Sequence, residues 1–81
     1  MPTSSVNRRI HDELISLLKK RREKSMSMTV LAQKSGLSLS MISFIERGLR
    51  NPTLDKLLPI ADALEVDLWK LLREATLAAR K

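Results

Sequence analysis

SMTVLAQKSGLSLSMISFIERGLRNP, residues 27–52, is the stretch that decides the fold. Two short helical patterns meet there at Ser35-Gly36-Leu37-Ser38. The first carries Val30, Leu31 and Ala32; the second sets Met41, Ile42 and Ile45 on one face. Gly36 tolerates the positive φ of a tight turn, and Ser38 caps the second helix through its hydroxyl. Helices joined this closely form a helix-turn-helix, a frame that sets its second helix into a DNA major groove.

Working outward, the spacing predicts five helices. The first covers Val6 to Glu23, capped by Ser4 or Ser5, with Ile10, Leu14, Leu17 and Leu18 as its apolar stripe. Lys19-Lys20-Arg21-Arg22 lies in its last turns, where cations complement the helix dipole. After a Lys24-Ser25-Met26 loop, Ser27 caps a second helix over Met28–Ser35. The third covers Leu39–Arg47 and stops at Gly48, in the left-handed conformation that glycine tolerates. Thr53 caps a fourth, Leu54–Leu64, in which Pro59 removes one hydrogen bond and predicts a kink or loosened turn. Asp67 caps a fifth that starts at Leu68. Leu68, Leu71, Leu72 and Ala75 form a stripe expected to close the core against Leu57, Ile60, Ala61 and Leu64. Trp69 is displaced from that stripe by about 100°.

Residues 1–5 are expected to form a flexible tail, 6–74 the folded domain, and 75–81 a helical extension or frayed end. Eighty-one residues with 43% hydrophobic content, one Trp, one Phe and no Tyr require a compact aliphatic core. The fold class is all-α. There is no cysteine, which excludes disulfides and thiolate chemistry and suits a cytoplasmic location. The polar N-terminus lacks a signal-peptide run, and the apolar runs are too short to span a membrane.

The net charge is +6, and residues 1–24 carry seven basic and three acidic groups. Residues 25–50 carry three basic and one acidic, whereas 51–81 carry five of each. All the excess positive charge thus lies in the first fifty residues, a one-sided field suited to a polyanion. The single histidine, His11, has no second soft ligand, so no metal is expected. Ser16, His11 and Asp12 sit too close on one helix to make a triad. Neither a phosphate-binding glycine loop nor a carboxylate pair for catalysis is present, so no catalytic residues, cofactor or small-molecule ligand are expected.

Leu31-Ala32, Gly36-Leu37, Ser40, Ile42-Ser43, Ile45-Glu46-Arg47-Gly48 and Asn51-Pro52 occur in an order that closely resembles the phage-repressor-like, or Xre/Cro-C1, helix-turn-helix family. Leu54, Leu57-Leu58, Ile60-Ala61, Ala63-Leu64, Val66, Leu68 and Leu71-Leu72 continue the match, which covers about residues 14–72. The resemblance implies a five-helix bundle of the lambda-repressor-like type, with helices 2 and 3 as the helix-turn-helix. It implies a small transcriptional regulator that binds a near-palindromic operator on double-stranded DNA as a homodimer. The chain's size is similar to that of restriction–modification controllers and small phage or plasmid repressors. Such a length leaves no room for a ligand-sensing domain, so activity is expected to follow concentration or a protein partner.

Carried over by resemblance, Leu39, Ser40, Ser43 and Phe44 face the bases. Arg47, Arg50 and Asn51 contact phosphate, joined by Ser38, Ser27 and Lys34, with Lys20 as a further flanking cation. Ser27 and Ser38 can act as caps or as phosphate ligands. Arg21 is expected to pair with Glu46 and tie helix 1 to the end of the recognition helix. Trp69, Leu72, Thr76 and Leu77 are expected to form the dimer interface. Glu65 replaces a glycine common in the family, and a left-handed backbone there costs about 1 kcal/mol.

The chain departs from its relatives at the readout positions. Leu39 and Phe44 stand where Gln, Arg, Asn or Lys is frequent, and Met28 replaces a common Gln. The bidentate donors that read purine edges are therefore missing. Two readings stay open. Leu39 and Phe44 touch thymine methyls while the serines hydrogen-bond and DNA shape supplies further preference. Alternatively, Leu39, Phe44 and Met28 form an apolar patch that docks a protein, as in the antitoxin of a toxin–antitoxin pair.

Overall fold

The computed structural model describes residues 2–80, with side chains described from Ser5 onward. Five α-helices follow one another: α1 (Pro2–Ser25), α2 (Met28–Ser35), α3 (Leu39–Glu46), α4 (Leu54–Ala63) and α5 (Leu68–Ala79). There is no strand among the described residues. α1 therefore begins at Pro2, where a tail and a serine cap had been expected, and continues two residues past Glu23. Proline is at home in a first helical turn, whose N–H groups have no intrahelical acceptor. At 24 residues and about 1.5 Å per residue, α1 accounts for nearly all of the 38 Å long axis.

The core is aliphatic: Leu14, Ile15 and Leu18 of α1 meet Leu31, Ile42, Ile45, Leu57, Ile60, Leu64, Leu71 and Ala75. The largest shared surface lies between α1 and α5, not between α5 and α4 as the stripe had suggested. The cause is the phase of α5. Its buried residues are Leu71, Ala75 and Ala79, spaced i, i+4, i+8. Ala75 and Ala79 are almost fully covered, and their small side chains let the backbones of α1 and α5 approach. Leu72, counted in the stripe, is turned about 100° away and is 43% exposed. Burial of Ala79 also keeps the C-terminal helix intact past residue 75. Lys81 and Met1 lie outside the described residues.

The local signals for the turns hold. Ser27 and Ser38 accept hydrogen bonds from the Val30 and Met41 N–H groups at 3.2 and 3.1 Å. Gly36 has φ 75°. Asp67 caps α5 by accepting from the Trp69 N–H at 3.0 Å. Thr53 occupies the cap of α4 but makes no side-chain cap bond; its hydroxyl turns to the Asp55 carboxylate instead. That bond holds the Asp55 carboxyl below its usual pKa. α4 is continuous through Pro59.

Candidate nucleic-acid interface

α2 and α3 are each eight residues long, too short to be stable alone. They are held by what they bury: Leu31 and Ala32 from α2, Ile42 and Ile45 from α3. Because Ile42 and Ile45 point inward, the opposite face of α3 is left to solvent. Leu39 is 46% and Phe44 41% exposed. Ser40 is exposed as well, and Ser43 is half-buried. Met28 is half-buried, with part of its side chain packed against the core. The exposed large apolar residues of this region are Val30, Leu39, Phe44 and Leu49.

The end of α3 is pinned by a buried ion pair. Its partner on α1 is Arg22, not Arg21. Arg22 Nε donates to Glu46 Oε2 at 2.7 Å and Nη2 to Oε1 at 2.9 Å. Nη1 donates to the Met26 carbonyl at 3.2 Å, so one guanidinium fastens α3 and the α1–α2 loop together. The two side chains are 11% and 10% exposed. The bond to Glu46 raises the already high pKa of Arg22 against the opposing effect of burial. The choice between neighbouring arginines follows from helix phase. Ile15, Leu18 and Arg22 are spaced i, i+3, i+7 and share the buried face, while Arg21 is rotated about 100° into solvent. Ile15 was the signal: it is absent from the stripe drawn through Ile10, Leu14, Leu17 and Leu18, and including it points to Arg22.

Past Glu46 the chain turns at Gly48, φ 74°. The Gly48 N–H donates to the Ile45 carbonyl at 3.1 Å and the Leu49 N–H to Phe44 at 2.9 Å, which closes α3. Arg47, Arg50 and Asn51 ride on this turn, all exposed. Lys20 and Lys34 are likewise exposed. Ser27 and Ser38 each use one oxygen lone pair for a cap bond, and each hydroxyl hydrogen stays free to donate. Capping and phosphate binding are thus compatible at both serines.

The proposed dimer residues lie off the buried stripe of α5. Trp69 is 65%, Leu72 43% and Leu77 59% exposed, and Thr76 donates its hydroxyl to the Leu72 carbonyl at 2.8 Å. Trp69 and Leu72 line an open apolar groove with Leu54, Leu58 and Val66; Thr76 and Leu77 lie outside it. Among the described residues, no three His, Cys, Asp or Glu side chains are grouped as a metal site. No described helix is long and apolar enough to cross a membrane.

Residues 17–68 match the model of a helix-turn-helix family, HTH_3. An uncharacterized HTH-type transcriptional regulator of Mycobacterium tuberculosis is 46% identical over 52 residues, which are 63% of this chain and 37% of that protein. The HTH-type transcriptional regulator SinR of Bacillus licheniformis is 40% identical over 55 residues, 67% of this chain and 50% of SinR. The matches thus span half or less of these two relatives. Among solved structures, the wild-type restriction-modification controller protein C.Esp1396I superposes with a TM-score of 0.74 at 36% identity, covering 85% of this chain and 95% of that one. A point mutant of the same controller, bound to its highest-affinity operator site, gives the same TM-score and identity, with 85% and 96% covered.

Proposed function

The chain belongs to the Xre/Cro-C1 type of helix-turn-helix protein, and from that premise we propose that it is a sequence-specific DNA-binding transcriptional regulator. The observation that carries this reading is the recognition helix itself. α3 exposes Leu39, Ser40 and Phe44 and is fixed at its end by the Arg22–Glu46 pair. It sits between the cap of α2 and the Arg47–Asn51 turn. A helix held rigidly and presented this way can enter a major groove. The superposition on an operator-bound controller supports the same placement.

In this reading Leu39 and Phe44 contact thymine methyls, and Ser40 and Ser43 hydrogen-bond to base edges. Arg47, Arg50 and Asn51 anchor phosphates, assisted by Ser27, Ser38 and Lys34. With no bidentate purine reader on the face, much of the sequence preference comes from DNA shape. A homodimer formed through Trp69, Leu72, Thr76 and Leu77 sets two such helices about 34 Å apart on a near-palindromic operator. Exposure of Trp69 supports that interface, since tryptophan is enriched among interface anchors. The cytoplasm is where such a regulator works.

A second reading draws on the apolar readout face. Leu39 and Phe44, with Leu49 beside them, could seat a protein partner, as in an antitoxin. Fluorescence anisotropy separates the two. Preference for the DNA upstream of the protein's own gene over a scrambled duplex supports the regulator. Equal, weak binding to both, together with loss of a co-purifying partner on Phe44→Ser, supports the interaction module.

A further inference from the structure

A broad, open groove lies away from the exposed face of the recognition helix. It lies between α1, from Ser5 to Lys19, and the turn after α3. Its lining includes Arg8, His11, Asp12 and Lys19 from α1, and Glu46, Arg47, Gly48 and Asn51 from the α3 end. Two carboxylates face three cations here, but they are not equivalent. Glu46 is consumed by the two-pronged bond to Arg22, which contributes its charge from outside the groove. Asp12 remains, 69% exposed, with His11 Nδ1 3.6 Å away. The groove therefore presents Arg8, Lys19 and Arg47 against one uncompensated acid. It is also continuous with the turn that bears Arg47 and Asn51, two of the proposed phosphate ligands.

We infer that this groove is a second phosphate-binding surface: α1, through Arg8 and Lys19, grips the duplex backbone beside the half-site read by α3. The inference rests on the DNA-binding reading above and extends its footprint. Charge complementarity and continuity with the Arg47–Asn51 turn select duplex DNA as the occupant. Arg8 stands within α1, on a helical rod. A cation held that way loses less freedom when it meets a phosphate than one on a flexible tail.

Each phosphate neutralised contributes about 0.9 to the slope of log affinity against log salt. The test compares the full-length protein with Arg8→Gln, Lys19→Gln and Lys70→Gln, the last an exposed cation on α5 outside the groove. Anisotropy titrations on the upstream duplex and its scrambled counterpart, over a salt series, give the slopes. Arg8→Gln and Lys19→Gln should each lower the slope by about 0.9 on both duplexes and weaken binding roughly eightfold at 0.1 M salt. Lys70→Gln should leave it unchanged, and Asp12→Asn should tighten binding. All four positions are exposed, so circular dichroism should report an intact fold. Wild-type slopes in Arg8→Gln and Lys19→Gln overturn the inference and leave the regulator reading standing. An equal drop in Lys70→Gln overturns it too, by showing a general charge effect. A wild-type protein that binds neither duplex sinks the regulator reading and this inference together.

Discussion

α3 and α4 end in the same hydrogen-bonded turn, built once on glycine and once on glutamate. At α3 the left-handed residue is Gly48, φ 74°. At α4 it is Glu65, φ 56°, whose N–H donates to the Asp62 carbonyl while the Val66 N–H donates to Ala61, both at 3.0 Å. The bonds are equivalent; the surroundings differ. The α3 end carries the strain-free residue and is clasped to α1 by Arg22. The α4 end carries a backbone conformation that costs an ordinary side chain about 1–2 kcal/mol. It leads through half-buried Val66 into the exposed apolar side chains Trp69 and Leu72. Rigidity is concentrated where a helix must be aimed. Strain sits next to the surface proposed for the homodimer.

The clasp is the strongest element of that contrast. Arg22→Ala strands a nearly buried Glu46 and should destabilise the fold by about 3 kcal/mol, measured by urea denaturation. Arg21→Ala, one residue away on the solvent face, should cost less than about 0.5 kcal/mol. Comparable losses from the two would remove the distinction between a braced and an unbraced helix end. At the other end, Trp69→Ala should weaken the proposed homodimer by roughly thirtyfold, the scale of an interface anchor near 2 kcal/mol. Sedimentation across a concentration series reads this, and an unaltered dimer would place the interface elsewhere.

The two left-handed residues give the smallest and most direct comparison. A Cβ at Gly48 meets nothing within 4 Å, so Gly48→Ala pays only for its φ. That cost is partly offset by a less flexible unfolded chain, leaving about 1 kcal/mol of destabilisation. Glu65→Gly runs the other way: relief of strain exceeds the added chain entropy and should stabilise by roughly 0.5 kcal/mol. Thermal melts should then move in opposite directions, by about 5 °C down for Gly48→Ala and about 3 °C up for Glu65→Gly. Shifts of the same sign would mean that the two turns are not equivalent.

Much of this was legible in the sequence because it is local. The Ser27 and Ser38 caps, Gly36, Gly48 and the Asp67 cap depend on residues two or three apart, and these appear where the pattern places them. The solvent-exposed face of α3 follows from the inward phase of Ile42 and Ile45. What was misread depends on phase over longer distances. Arg21 was carried over by resemblance, one residue out of register, and a stripe drawn without Ile15 did not reveal that Arg22 shares the buried face. Counting Leu72 into the stripe, and ending it at Ala75, hid that Leu71, Ala75 and Ala79 pack α5 along α1. The start of α1 was missed because Pro2 was read as part of a tail. The groove between α1 and the α3 turn joins residues some forty positions apart, so no local pattern announces it.

The central claim is that α3, braced by Arg22–Glu46, reads DNA. Fluorescence anisotropy against the DNA upstream of the protein's own gene and a scrambled duplex, at two salt concentrations, tests it most directly. Tight, salt-sensitive binding with a preference of at least roughly a thousandfold for the upstream duplex is the result predicted. Weak binding that does not distinguish the two duplexes would contradict it.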